Sequence, residues 1–350
     1  MKILFVQTAH KEHDDRVYWH QRAALKSQGA EVVILSLYGV ERNQAQQAII
    51  RQVTDFQPDR IICDTPLAVL ACRRAHTRAR IYYDITEWYP SQIHLRNTPS
   101  WLRPLKAALM HIVYRWAGWQ SDRFIFGEES KAQTFRRLFP RKPSLLLPYY
   151  PDLQYIAPQP PNDLSKTLRL FYAGSISNPL KGIQNVLNAA QELATRQPQL
   201  NVLLTIVKAE EDKDVSVPQN GLPANLKLIE KEAMPLPDFC KEITQHDFFF
   251  DLRTIDDEST HSLPIKLFYY LAAGRPVVYS DLEAIHSGLQ ELPAQMLVEP
   301  TDAEKIGTII EGYLAHASAY QHACSEMRRL SEGKYNWLGQ QEAFQHFILD

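Results

Sequence analysis

From Ser262 to Ser280 the chain reads S-L-P-I-K-L-F-Y-Y-L-A-A-G-R-P-V-V-Y-S. A helical run over 265–273 stops at Gly274 and passes at once into a β-branched strand over 276–279. A helix closed by glycine and followed directly by an apolar strand is the αβ half of a βαβ unit. Ser262, Leu263 and Pro264 occupy the first turn of that helix, where backbone N–H groups lack partners and the dipole favours an anion. Lys266 adds a full positive charge beside them, and D-F-F-F-D-L over 247–252 reads as the buried strand that precedes the turn. Strand, polar loop and a helix start carrying lysine make a place to hold a diphosphate.

The same alternation runs through the rest of the chain. Strands are expected over 2–6, 31–37, 60–63, 80–84, 122–126 and 144–147, with a helix over 16–28 and helical runs between the others. The stretch 148–166 then carries five prolines and no helical period, the texture of a linker. Beyond it the pattern restarts with strands over 168–172, 201–207 and 226–229 and helices over 183–197 and 236–244. The expected architecture is α/β: two Rossmann-like, doubly wound domains facing a cleft, over 1–150 and 167–335, with a terminal segment 336–350 whose helix crosses back to the first domain. A length of 350 residues suits two such cores.

Composition removes several classes. A net charge of −2 gives no electrostatic case for nucleic acid. The four cysteines, Cys63, Cys72, Cys240 and Cys324, have neither a zinc spacing nor a pairing pattern, which suits a reducing cytoplasm and no metal. The start, M-K-I-L-F-V, is short for a secretion signal and reads better as a strand, and no apolar run reaches the roughly 20 residues of a membrane span. No nucleophilic triad or P-loop occurs.

The run from Leu263 to Val278 resembles the donor-binding segment of the retaining "group 1" nucleotide-sugar glycosyltransferases of GT-B fold, in Leu263, Pro264, Lys266, Leu267, Phe268, Gly274 and Pro276. In that family the residue five before the glycine is a glutamate on the nucleotide ribose; here it is Tyr269. Three arrangements are open: the tyrosine hydroxyl meets ribose, the ring packs inward while an acid such as Glu258 takes over, or the donor site is degraded. The second is expected, because Asp257 and Glu258 precede the same helix. A second loop, A-G-S-I-S-N-P-L-K-G over 173–182, resembles the family's diphosphate loop in Gly174, Lys181 and Gly182, with Ser175 where the family has arginine. Arg253, after the 247–252 strand, is a candidate replacement for that cation.

In the first half, H-D-D-R-V-Y-W-H from His13 resembles the segment following the family's first strand, and places His10, His13, Asp14, Asp15 and Arg16 at a strand's carboxyl end. Either Asp14 or Asp15 caps the next helix, or the group meets substrate. Y-D-I-T-E-W-Y-P from Tyr83 resembles a segment whose histidine lies near the reacting sugar; Thr86 stands in that place, leaving Asp84 and Glu87 as polar candidates beside His10. G-E-E-S from Gly127 matches a further strand-end segment and would cap the following helix.

The resemblance implies sugar transfer from a nucleotide-sugar donor to a polysaccharide or glycolipid acceptor, with retention, without metal and with no cofactor, the nucleotide-sugar being a substrate. Alternatives are a sugar-nucleotide epimerase of the same fold and a catalytically weakened sugar- or partner-binding relative. Finally, W-L-R-P-L-K-A-A-L-M-H-I-V-Y-R-W-A-G-W over 101–119 is an apolar-striped helix with Arg103, Lys106 and Arg115 off the stripe. It suits either a helix buried on a sheet or peripheral contact with the inner membrane face.

Overall fold

The computed structural model describes residues 1–86, 95, 98–260, 263–293 and 296–350; of Asp257 and Glu258 only the backbone is described. Among these residues the strands form two six-stranded sheets, parallel throughout. The chain divides into two compact units, Met1–Tyr149 with Leu338–Asp350, and Tyr150–Trp337.

In the first unit β1 (Lys2–Gln7), β2 (Glu31–Ser36), β3 (Arg60–Cys63), β4 (Arg80–Ile85), β5 (Arg123–Phe126) and β6 (Ser144–Leu146) lie in the order β2-β1-β3-β4-β5-β6. Their near-continuous apolar stretches follow from burial on both faces, as parallel sheets require. Leu4, Val6, Ile61, Ile81, Tyr83, Phe124 and Phe126 pack with Phe135 and its neighbours into one core. Helices α1 (Arg22–Ser27), α2 (Arg42–Phe56), α3 (Pro66–Arg74), α4 (Arg103–Gln120) and α5 (Glu129–Leu138) connect the strands.

The helix expected over 16–28 is two elements. Asp15–Gln21 forms a π-helical turn and only then does α1 begin. Arg16, Val17, His20 and Gln21 are the buried members of the π turn, and this i, i+1, i+4, i+5 set shares one face when the turn widens beyond 3.6 residues.

In the second unit β7 (Thr167–Gly174), β8 (Asn201–Lys208), β9 (Leu226–Lys231), β10 (Phe248–Asp251), β11 (Val277–Ser280) and β12 (Leu297–Val298) lie in the order β12-β11-β10-β7-β8-β9. α6 (Ile183–Arg196) buries Ile183, Val186, Leu187, Ala190 and Leu193, the stripe a helix on a sheet needs. α7 (Leu236–Ile243) follows β9. α8 (Ile265–Ala272) is buried from Leu267 onward and has no polar face there, with Tyr270 stacked on Phe249 at 4.3 Å. Gly274 takes φ +67°, the left-handed stop read from the sequence. α9 (Glu283–Gly288), α10 (Ala303–Ala315) and α11 (Ala317–Gly333) complete the unit.

The proline-rich stretch is not a free tether. Trp337 N–H donates to Pro151 O at 2.8 Å, Arg328 to Ile156 O at 3.0 Å, and Asn162 to the Asp247 carboxylate at 2.6 Å. Arg275, 1% exposed, donates to Gln159 O at 3.3 Å, Pro160 O at 2.9 Å, Gly274 O at 2.9 Å and His246 O at 3.1 Å. Residues 150–166 therefore pack with the second unit. The last helix, α12 (Leu338–Leu349), returns to the first. The Tyr82 hydroxyl and Arg123 donate to carbonyls at Phe347 and Ile348, and Gln345 donates to Ala24 O at 2.8 Å.

Candidate functional site

In the second sheet the chain runs from β7 outward through β8 and β9, then restarts at β10 and runs the other way. β7 and β10 are therefore neighbours at the point where strand order reverses, and ligands of doubly wound sheets bind at the carboxyl ends there. Gly174 ends β7 and Asp251 ends β10.

The loop after β7 is held from inside. The buried Tyr172 hydroxyl lies 3.0 Å from Ser175 O and 3.1 Å from Lys181 O, joining the two ends of the loop. The Asp212 carboxylate, fully buried, accepts the N–H groups of Ile176 at 2.7 Å and Ser177 at 3.3 Å. Ser175 is itself buried and accepts from Asn178 N–H at 3.3 Å. Its hydroxyl thus replaces the family's arginine with a loop-internal contact, and two loop amides are already taken by Asp212. Gly182 starts α6 at φ +81°, where a Cβ would overlap the Leu252 carbonyl oxygen. The close approach locks the loop onto the turn after β10, with Thr254 N–H donating to Leu180 O at 3.0 Å and Asn185 to Leu252 O at 2.9 Å.

Lys266 projects into this corner from the first turn of α8. Its ammonium donates to Ala173 O at 2.5 Å and sits 3.6 Å from where a Cβ on Gly174 would lie. Burial pushes its pKa down to about 8, helped by the positive charges of Arg253 and Lys181 and resisted by Asp251. Arg253 pairs with the Asp251 carboxylate through both Nε, at 2.7 Å, and Nη2, so its charge is largely answered within the protein. Lys181 is exposed at the loop's end. No side chain among the described residues caps the N-terminus of α8, which follows Pro264. The corner thus joins two lysines, an uncapped helix start and a glycine-lined wall, an arrangement suited to an anion.

Tyr269 is 4% exposed, with its ring edge-on to Phe239 at 6.0 Å. The inward-packed arrangement is the one observed for the ring. Leu263 is part-buried beside Pro264, near Gly288. Ser262 and Glu87 lie outside the described residues, as does the side chain of Glu258, so the relocation of the acid to Glu258 stays an expectation.

In the first unit, Asp14 is the cap: its carboxylate accepts from Arg16 N and Val17 N, both at 3.1 Å. His10 stands at the carboxyl end of β1 with Nε2 3.3 Å from the Thr86 hydroxyl and Nδ1 3.6 Å from the Asp14 carboxylate. The expectation that Asp84 faces an acceptor gives way. Asp84 is 3% exposed, paired with Arg16 at 3.0 Å and bonded by Gln21 at 3.3 Å. Arg16 also donates to Leu147 O at 3.2 Å and lies 4.3 Å over the Tyr149 ring. Burial raises the Asp84 pKa against the pull of Arg16, and the same burial, with Arg16 nearby, lowers His20 to about 4 and keeps it neutral.

Three contributors escaped the sequence. Lys131, 4% exposed, reaches Thr86 O at 2.5 Å and Glu128 at 3.5 Å, so the G-E-E-S segment sends a cation to the Thr86 loop. Tyr172 and Asp212 hold the β7 loop. Only the acidic cluster E-E-D around Asp212 carried a signal, and it did not say which acid turns inward.

No family model matches the chain, and a search of curated proteins gives no match. Solved structures do match. HepE of Anabaena, crystallised with UDP-glucose, is 14% identical over 100% of this chain and 99% of its own, with a TM-score of 0.68. Sucrose-phosphate synthase of Thermosynechococcus elongatus is 11% identical over 99% and 98%, also at 0.68. A putative UDP-N-acetylglucosamine 2-epimerase of Listeria monocytogenes is 11% identical over 100% and 97%, at 0.62. Full-length likeness to these proteins establishes the GT-B fold.

Proposed function

We propose that the chain is a glycosyltransferase that moves a sugar from a nucleotide-sugar donor to a saccharide or lipid-linked acceptor, with retention at the sugar carbon and without a metal. The observation that carries this reading is Lys266, a cation held at the strand-order reversal of the second unit, beside Lys181 and the uncapped start of α8. A leaving nucleoside diphosphate gathers negative charge as the glycosidic bond to phosphate breaks. Preformed cations and helix amides favour that charge without reorganising. The departing phosphate oxygen takes the acceptor hydroxyl's proton, so no paired carboxylates are needed. Among the described residues of the first unit, the sequence candidates left near the surface for an acceptor include His10 and Thr86 rather than Asp84.

Two features favour a second reading, a relative with weakened donor affinity: Asp212 occupies loop amides, and Asp251 answers Arg253. A thermal-shift panel of UDP, GDP, CDP and their sugars on the full chain separates the readings. Selective stabilisation by one nucleotide, with sugar transfer or slow donor hydrolysis, supports the transferase. Epimerised sugar-nucleotide released without any acceptor indicates the epimerase chemistry instead. Absence of any nucleotide shift removes the donor site.

A further inference from the structure

Helix α4 packs on the first unit through Tyr114, Ala117 and Gly118. Its opposite side is open: Trp101, just before the helix, is 76% exposed, Leu105 59%, Leu109 55%, Ile112 62%, Trp116 48% and Trp119 73%. The sequence left two readings of this stripe, and burial on a sheet is now excluded, because the residues that pack are the other ones. At about 100° per residue the helix's exposed apolar side chains fill an arc of roughly 120° facing away from the packed side. Lys106 borders the arc on one edge and Arg115 on the other. No aspartate or glutamate occurs from 98 to 121, although the chain has 40 acidic residues, and three of its six tryptophans lie in 101–119.

We propose that this face of α4 rests on an anionic lipid bilayer, with the apolar stripe among the upper acyl chains and Lys106 and Arg115 on the headgroups. Indole rings favour that boundary because they are apolar with one polar N–H. Among the described residues no helix is long and apolar enough to cross a membrane, so the contact is one of lying on the surface. Charge decides against a second copy as the occupant: pairing this face with itself would oppose two cationic rims, with no acid in the segment to answer them. The inference stands apart from the reading of the donor corner.

The test is flotation of the full chain with phosphatidylcholine vesicles, with and without phosphatidylglycerol, at low and high salt. Binding is expected on the anionic vesicles, with a blue shift of tryptophan emission and weakening by salt. Leu109→Gln with Ile112→Gln should reduce binding about tenfold or more. Lys106→Gln with Arg115→Gln should reduce it about tenfold on anionic vesicles only. Leu109, Ile112 and Arg115 are exposed, Lys106 is half-buried with its ammonium donating to the Thr98 hydroxyl at 2.9 Å, and unchanged melting curves would confirm folded variants. Failure of the unaltered chain to bind either vesicle overturns the proposal, as do variants that bind like it. A concentration-dependent dimer, seen by sedimentation without lipid and lost in the Leu109/Ile112 variant, would assign the face to a second copy.

Discussion

Lys266 is one residue with two opposed demands on it. Its burial disfavours the charged form, and its folded pKa of about 8 lies below the unfolded value of 10.5. The unfolded chain therefore binds more protons between those values, and stability of the free protein rises with pH across that window. Donor binding should move the other way: the ammonium is present below pH about 8, so nucleoside diphosphate affinity should be flat near neutrality and fall as pH passes about 8. Titration calorimetry across that range checks the sign. Lys266→Ala should lower the affinity about 10- to 150-fold and flatten the profile. Lys181→Ala should weaken binding less, since its side chain is exposed and screened. Tyr269→Phe should cost little in binding, because the ring is packed against Phe239 rather than turned to solvent. Loss of binding in that variant would show that the tyrosine itself reads the nucleotide.

Among the elements, the loop from Gly174 to Gly182 is the most constrained. Gly182→Ala would force a left-handed φ on a residue with a Cβ and press it into the Leu252 carbonyl, a cost of about 3 kcal/mol or more. A lower melting midpoint together with weaker diphosphate binding is expected; a variant as stable as the parent would contradict the close approach. The strands were readable in the sequence because parallel sheets demand β-branched and aromatic runs such as F-F-F-D, and the glycine stop at Gly274 was readable because few residues tolerate φ +67°. β12, at two residues, is too short to carry a period. The π turn at Asp15–Gln21 has the composition of an ordinary helix and differs only in which residues it buries. The donor corner was half legible. Lysines beside helix starts announce themselves by order along the chain, whereas Tyr172 and Asp212 act through pairings up to 36 residues away that no spacing encodes, and in the first unit Lys131 reaches 45 residues to Thr86. Asp84 misled for the same reason: a strand-end carboxylate looks alike whether it meets a substrate or a buried arginine.

For the molecule as a whole, Arg275 ties the proline-rich stretch to the second unit. Arg275→Leu would leave the carbonyls of His246, Gln159 and Pro160 without their donor. The expected cost is about 3 kcal/mol or more, roughly 6–12 °C in the midpoint of the second unit. Limited proteolysis should then cut within 151–166, where the parent resists; equal resistance would show that the other contacts suffice. The two units also differ in how their residues are distributed along the chain. Residues 150–337 form one uninterrupted unit, whereas the other begins at residue 1 and needs α12 to cover Tyr82 and bond Arg123. During synthesis from the N-terminus, the unit translated second can therefore finish folding first. The sheet translated first stays uncovered along its α12 side until residues 338–349 have left the ribosome, so the half-made chain has an open sheet for a chaperone to guard.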